Sequence, residues 1–310
     1  MHTSSRRAVL TTLVGAAALP VTGCGSRADE TAPKASSSAS PSPSDAAALT
    51  RRTKHAFGAL ERKFDARLGL YAVDTGDGRS VTHRPDERFA YASTCKALLA
   101  AAVLEKNSLR ELEKRVRVRP DDLEGYSPIT ERRSNASMTL RELCDAAVRY
   151  SDNAAANLLF EELGGPRKLQ HALRALGDRV TRADRYEVEL SEATPGDPRD
   201  TSTPRAMATD LRTYVLGDVL AADKKALLAD WLTRNTTGDR LIRAGTPDGW
   251  RVGDKTGNGG YGTRNDIAIV WPPDAAPLAL ALMSRRDTKD AEHDDALIAE
   301  AAEVVFRALA

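Results

Sequence analysis

The chain has 310 residues, of which 41% are hydrophobic and 29% are charged, enough to bury the core of one or two folded domains. The formal net charge is only +1 and aromatic residues make up 5%, which argues against a nucleic-acid partner. Three cysteines, and five histidines without ligand spacing, indicate neither a disulfide framework nor a metal site, and we expect no cofactor.

Residues 1–24 have the pattern of an export signal. Arg6 and Arg7 precede an apolar stretch over residues 8–19, which is too short to span a membrane. The start of this segment resembles a twin-arginine signal. Its end, Val-Thr-Gly-Cys, resembles a bacterial lipobox, which implies lipidation of Cys24; the alternative is an ordinary secretory peptide with an unrelated cysteine. We expect an exported protein that is anchored to the cell membrane through Cys24 or also released outside the cell.

Residues 25–45 are mostly Ser, Ala, Pro and Thr, which predicts a disordered tether before a folded domain at 46–310. In that domain, strong turn signals separate five apolar or alternating segments that predict strands. These lie at 68–74, 79–83, 250–256, 266–271 and 278–283. A helix capped by Ser44 precedes them and a helix over 294–309 follows.

The stretch between the second and third strands is helical in pattern. Thr139 and Glu142 form a capping box, and Gly164-Gly165-Pro166 and Thr203-Pro204 mark helix boundaries. This order predicts an α/β (α+β) fold, with an antiparallel five-stranded sheet flanked by helices and an inserted all-helical subdomain. We expect the α/β part at 46–84 and 235–310, the all-α part at 85–234, and a site where they meet.

Three short motifs contain side chains that could take part in catalysis. Ser93 and Lys96 are three residues apart at the start of an alanine-rich helix, so a hydroxyl and an amine share one helix face. A serine needs a neighbouring base to become a nucleophile. Ser151-Asp152-Asn153 and Lys255-Thr256-Gly257 read alone as a helix cap and a strand end running into a turn. In this order and spacing, the three motifs together are rare in a sequence of typical composition.

A fourth feature is the loop between Arg185 and Asp200, which lacks periodicity and contains two prolines. An unstructured loop of that length in a compact domain is usually functional or disordered. An ion pair between Arg185 and Asp200 would close its neck and make an Ω-loop. Glu187 and Glu189 are the acidic candidates within it.

The motif set, Ser-x-x-Lys, then Ser-Asp-Asn, then Lys-Thr-Gly, resembles that of the class A serine β-lactamases and related penicillin-binding proteins. The resemblance runs from about residue 45 to the C-terminus and includes Tyr126, Asn-Thr-Thr-Gly at 235–238 and Arg264. It implies hydrolysis of penicillins and cephalosporins through an acyl-enzyme on Ser93, and hence antibiotic resistance. We expect a small-molecule β-lactam as the partner and a monomeric protein.

The same resemblance implies roles for individual residues. Lys96 would deprotonate or tune Ser93, and Ser151 with Lys255 would protonate the departing lactam nitrogen. Substrate would contact Tyr126, Asn153, Lys255, Thr256, Gly257, Asn258 and Arg264, with the backbone N–H groups of Ser93 and Asn258 as the oxyanion hole. Glu187 would activate the deacylating water, leaving Glu189 a structural role.

Three positions depart from the family pattern. Val188 stands where proline is usual, and Ser191 stands where an asparagine helps to hold the deacylating water. Asn258 is larger than the usual Ser, Thr or Ala and lies beside the expected oxyanion hole. These residues bear on deacylation rate and substrate preference. Cys95 and Cys144 are expected to be buried free thiols.

Two other functions fit the same nucleophile. One is a D,D-peptidase that acts on cell-wall peptides, as in penicillin-binding proteins. The other is a β-lactam sensor that is acylated and does not turn over. Both predict a stable adduct on Ser93, whereas a hydrolase predicts many turnovers. A formal dinucleotide fingerprint at 257–262 is expected to be a hairpin turn, because a strand and not a helix follows it.

Overall fold

The computed structural model describes residues 43–309, so the predicted signal, Cys24 and most of the predicted tether lie outside the described residues. The helices are α1 (Pro43–Phe64), α2 (Cys95–Lys106), α3 (Leu140–Arg149), α4 (Asn153–Leu163), α5 (Pro166–Ala175), α6 (Pro204–Val215), α7 (Ala222–Thr233) and α8 (Asp295–Leu309). The strands are β1 (Arg67–Asp74), β2 (Ser80–His83), β3 (Phe89–Ala90), β4 (Arg115–Arg117), β5 (Ser137–Thr139), β6 (Thr201–Ser202), β7 (Arg251–Gly259), β8 (Thr263–Trp271) and β9 (Leu278–Arg285). No helix of this range is long and apolar enough to cross a membrane.

The central sheet confirms the predicted fold class. Its five strands lie in the order β2-β1-β9-β8-β7, and every neighbouring pair is antiparallel. The predicted turn over 257–262 was too long, since β7 and β8 remain paired as far as Gly259 opposite Thr263. The backbone there makes ladder hydrogen bonds that do not depend on side chains, so glycine did not end the strand. Only Tyr261 and Gly262 have the positive φ of a tight turn.

Both faces of the sheet are covered, which explains why β8 and β9 are buried almost throughout. On one face, residues such as Leu70 and Leu280 pack in a core with Phe57 of α1 and Ile298 of α8. On the other face, the core joins the sheet to the helices between β2 and β7. The helices on this face, including the helix α2 that follows Ser93, therefore pack against the sheet.

Helix α2 runs through the centre of the second core. Every residue from Cys95 to Leu104 is buried, as expected for a helix that is apolar on all sides. Cys95 and Cys144 are both buried and free, which confirms that they form no disulfide. Burial raises the pKa of both thiols, so they behave as small apolar side chains.

Local signals placed most helix boundaries correctly, although Ser44, the expected cap of the first helix, lies within α1, which begins at Pro43. The capping box of Thr139 and Glu142 begins α3, and Thr203 caps α6 before Pro204. The pairs β3–β6 and β4–β5 were not predicted. With two or three residues each, these strands have no periodicity to detect. The first pair matters for the site, because it joins the segment just before Ser93 to the end of the 185–200 loop.

Candidate active site

Ser93 lies in a tight turn that leads directly into α2. The turn is the 3₁₀ segment Ala92–Thr94, and Ala92 has φ +47°, a conformation that non-glycine residues rarely adopt. Thr94 Oγ1 donates a hydrogen bond to the Tyr91 carbonyl at 2.6 Å, which holds the turn from inside. Such a turn presents the serine hydroxyl at the end of the helix rather than on its buried side.

Strands β7 and β8 hold this turn from the other side. Asn265 Nδ2 donates to the carbonyl oxygens of Ala90 and Tyr91, at 2.8 and 3.1 Å. A Cβ at position 257 would lie 2.8 Å from the Tyr91 carbonyl oxygen, so only glycine lets β7 approach so closely. Gly257 of the Lys-Thr-Gly motif therefore allows the sheet edge to reach the serine.

The Glu187 carboxylate binds two of the predicted catalytic side chains and the residue predicted to support the deacylating water. Ser93 Oγ donates to Glu187 Oε1 at 2.9 Å, and Lys96 Nζ lies 3.0 Å from the same oxygen. Ser191 Oγ donates to the other oxygen, Oε2, at 3.1 Å. Burial raises the pKa of the Glu187 carboxyl, but the Lys96 charge and the hydrogen bonds from Lys96, Ser93 and Ser191 outweigh it and lower the pKa below its ordinary value. Glu187 is thus ionised at neutral pH and able to accept a proton.

Lys96 is fully buried and surrounded by acceptors. Besides Glu187 at 3.0 Å, its Nζ donates to the Ser151 carbonyl at 2.8 Å and to Asn153 Oδ1 at 2.6 Å. An ammonium group has three hydrogens, and these three oxygens can accept all of them. In this arrangement the proton of Ser93 points to Glu187, which makes Glu187 the nearer base for the serine.

The Ser-Asp-Asn motif connects α3 and α4. Ser151 has φ +58°, and Asp152 caps α4 by accepting from the N–H of Ala155. This places Ser151 Oγ toward β7, where Lys255 Nζ donates to it at 3.1 Å. Burial, reinforced by the Lys96 charge, lowers the pKa of Lys255 to about 7. Hence Ser151 has a titrating ammonium as its neighbour.

A cavity of about 600 Å³ opens over these groups. Its lining contains the predicted substrate-contacting residues Tyr126, Asn153, Thr256, Gly257, Asn258 and Arg264, together with Ser93, Ser151, Glu187 and Ser191. Lys96 and Lys255 lie beneath the lining and are fully buried. Tyr126 stands at the mouth and is 59% exposed. The structure therefore brings all the predicted catalytic and substrate-contacting residues to one place.

The 185–200 loop is closed at its neck by the predicted ion pair. Arg185 Nε donates to Asp200 Oδ2 at 2.6 Å, and Asp200 Oδ1 also accepts from the backbone N–H groups of Asp184 and Arg185. Residues Glu189–Ser191 form a short 3₁₀ turn, and Glu189 is exposed. Only Glu187 of the two candidate acids points into the pocket.

Comparisons with known proteins agree with this geometry. The Beta-lactamase enzyme family model matches residues 52–309. A β-lactamase from Amycolatopsis lactamdurans is 60% identical over 253 residues, covering 82% of this chain and 84% of that protein. One from Bacillus amyloliquefaciens is 56% identical, covering 82% and 83%. The crystal structure of a class A β-lactamase from Clostridium kluyveri is 49% identical, with a TM-score of 0.83, covering 84% of this chain and 99% of that one. The chain belongs to the class A β-lactamases.

Sequence reasoning missed several residues that shape this β-lactamase site. Asn157 clamps the backbone of Glu187, accepting from its N–H and donating to its carbonyl, both at 2.9 Å. The Glu187–Val188 peptide bond is cis although residue 188 is not proline. Asn157 follows Asn153 by one helical turn on α4, and that i,i+4 spacing was the available signal.

Two other contacts had no sequence signal. Tyr91 OH donates to Asp200 Oδ1 at 3.1 Å, linking the nucleophile turn to the neck of the loop. Arg264 Nε donates to Asp295 Oδ1 at 2.7 Å, so this β-lactamase holds its pocket arginine against the start of α8. Both pairs join residues far apart in the chain, and nothing local marks them.

Proposed function

We infer that the protein hydrolyses the β-lactam amide of penicillins and cephalosporins through a Ser93 acyl-enzyme, which water activated by Glu187 then clears. The observation that carries this proposal is the buried Glu187 carboxylate, bonded at once to the nucleophile Ser93 and to Lys96. A nucleophile alone would support acylation. A carboxylate in contact with it supplies the base that a second, hydrolytic step requires.

Acylation begins with attack of Ser93 Oγ on the lactam carbonyl carbon. The serine proton passes to Glu187, with Lys96 as the alternative acceptor, and the backbone N–H groups of Ser93 and Asn258 bind the developing oxyanion. The carbon–nitrogen bond then breaks and the nitrogen takes the proton of Ser151 Oγ. Lys255, 3.1 Å from that oxygen, replaces the proton.

Substrate orientation follows from the chemistry of the lining. Penicillins and cephalosporins carry a carboxylate next to the ring. The hydroxyl of Thr256 and the guanidinium of Arg264 line the cavity, and Lys255 is buried beneath it, so these groups would bind the carboxylate. Asn153 and Tyr126 also line the cavity and would contact the side-chain amide of the substrate. With both groups of the substrate held, the lactam carbonyl would lie beside Ser93.

In deacylation, water is the nucleophile and Ser93 is the leaving group. Before this step Glu187 gives up the serine proton, by way of solvent or the pocket hydroxyls, and Lys255 regains the proton it lost. The Glu187 carboxylate then removes a proton from water, the hydroxide attacks the ester carbon, and the Ser93 oxygen leaves and takes that proton back from Glu187. Ser191 donates its only hydroxyl proton to Glu187 in the resting site, so it offers the water lone pairs rather than a donor. It stabilises the carboxylate more directly than it binds the water.

Turnover number separates this function from the two alternatives. Purified protein mixed with excess benzylpenicillin or nitrocefin is expected to hydrolyse many equivalents. A D,D-peptidase or a sensor would consume one equivalent of substrate, keep it as a lasting adduct on Ser93 and then stop. A stoichiometric burst without further hydrolysis would therefore exclude the proposed function.

The pKa of Lys255 leads to a prediction for pH dependence. The anion-binding form is the ammonium, which in the free enzyme is lost as the pH rises through about 7. We expect kcat/KM for benzylpenicillin to fall above that pH, because carboxylate binding weakens. In Lys255→Arg the guanidinium stays charged, so the alkaline fall should disappear even if overall activity is lower. An unchanged alkaline limb in the variant would show that another group titrates.

We also propose that the protein is exported and attached to the membrane by lipid at Cys24, and acts as a monomer. The support is the sequence pattern around Arg6, Arg7 and Cys24. Expression of Cys24→Ala in a Gram-positive host, followed by fractionation, is expected to move activity from membranes to medium. Wild-type protein found entirely in the medium would rule out the anchor.

A further inference from the structure

The carboxylate end of the cavity contains two threonine hydroxyls in contact. Thr237 Oγ1 and Thr256 Oγ1 are 2.6 Å apart, and both residues line the cavity. Either oxygen could donate in such a pair, and the choice determines which hydroxyl has a proton left for a ligand. The surrounding hydrogen bonds settle this choice.

The chain of hydrogen bonds starts at Asp254, which is fully buried below the cavity. Arg243 Nε donates to Asp254 Oδ1 and Asn235 Nδ2 donates to Oδ2, both at 2.6 Å. The amide nitrogen of Asn235 therefore faces Asp254, and its oxygen faces Thr237. The backbone N–H of Thr237 donates to Asn235 Oδ1 at 3.1 Å and requires the same amide orientation.

Asn235 in turn fixes the hydroxyl of Thr237. Its Oδ1 has no hydrogen, so the 2.9 Å contact with Thr237 Oγ1 must use the threonine proton. Thr237 Oγ1 has then only lone pairs to offer Thr256. The hydroxyl of Thr256 therefore donates to Thr237 and points away from an incoming carboxylate.

We propose that Thr237 is a positioning residue that weakens carboxylate binding by holding the Thr256 proton. The inference rests on the proposed function, in which Thr256 binds the substrate carboxylate. On binding, Thr256 must turn its proton from Thr237 to the substrate, so part of the new hydrogen bond replaces an existing one. If Thr237 were itself a ligand of the carboxylate, its loss would have the opposite effect.

The test is Thr237→Val, which removes the hydroxyl, keeps the shape and retains the backbone N–H for Asn235. We expect KM for benzylpenicillin to fall and kcat/KM to rise by about fivefold, the weight of one neutral hydrogen bond. The ester carbonyl of benzylpenicillin methyl ester is a weaker acceptor than a carboxylate, so its kcat/KM should change less. Thr237→Ser restores a hydroxyl and should restore the wild-type KM.

Thr236→Val is the matched control. Thr236 is exposed and its hydroxyl donates to the Arg149 carbonyl, outside the cavity. We expect its kinetics to equal those of the wild type. Thr237→Ala removes the same hydroxyl and should shift KM in the same direction, which covers the case in which the valine variant does not fold.

Two outcomes would overturn the inference. One is an equal or higher KM for benzylpenicillin in a folded Thr237→Val or Thr237→Ala variant. The other is the same change for the methyl ester as for the acid, since that would separate the effect from the carboxylate. Failure of the wild type to turn over benzylpenicillin would instead contradict the proposed function itself.

Discussion

Replacing Glu187 with glutamine is expected to stop turnover after the first chemical step. Glutamine has nearly the same shape but cannot take a proton from water, and a positioned general base contributes about 10²- to 10⁴-fold. Steady-state hydrolysis of benzylpenicillin should fall by that factor. Acyl-enzyme should accumulate, because Lys96 as a neutral amine is the alternative acceptor of the Ser93 proton, while no carboxylate is left to activate water.

Glu189→Gln provides the matched control for this experiment. It removes a carboxylate from the same loop, but Glu189 is exposed and does not line the main cavity. We expect near wild-type turnover and no lasting adduct. Equal loss of activity in the two variants would mean that the charge of the loop matters and that Glu187 has no particular role.

Replacing Ser93 with alanine is expected to have the largest effect on activity. No other hydroxyl is bonded to Glu187 Oε1 among the described residues, so acylation has no substitute nucleophile. Loss of a serine nucleophile typically lowers kcat by about 10⁴-fold or more, leaving only the contribution of binding and the oxyanion hole. Hydrolysis should approach the rate without enzyme.

Ser80→Ala is a suitable control, since Ser80 is an exposed residue of β2 on the far edge of the sheet. It should retain full activity. Binding of benzylpenicillin to Ser93→Ala, measured by calorimetry, should persist because the carboxylate-binding residues are intact. A variant that is still acylated would show that Ser93 is not the nucleophile.

Much of this fold was predictable because its main elements are long and strongly patterned. The second half of β8 and most of β9 are continuous apolar runs, and the capping box at Thr139 fixes the start of α3 without reference to tertiary structure. The end of β7 was misjudged because glycine in a turn and glycine beside a close backbone look alike in sequence. At Gly257 the cause is the Tyr91 carbonyl, which only the folded chain brings near.

The active site likewise contains residues that could be predicted from the sequence and residues that could not. Ser93, Lys96, Ser151 and Lys255 belong to short motifs whose order and spacing resemble a known family, and that resemblance implied that they meet in one pocket. Asn157, Asp295 and the hydroxyl of Tyr91 act through partners that are 30 to 109 residues away in the chain. Hydrogen-bond direction, as at Thr237, depends on each partner in turn and has no sequence signature.

The most direct measurement is the mass of the protein, quenched in acid at intervals after mixing with benzylpenicillin, with the modified residue located by peptide mapping. The account predicts that Glu187→Gln gains one penicilloyl group, on Ser93, and keeps it. It also predicts that wild-type protein returns to its unmodified mass once substrate is consumed. An adduct on another residue, or wild-type protein that stays modified, would contradict it.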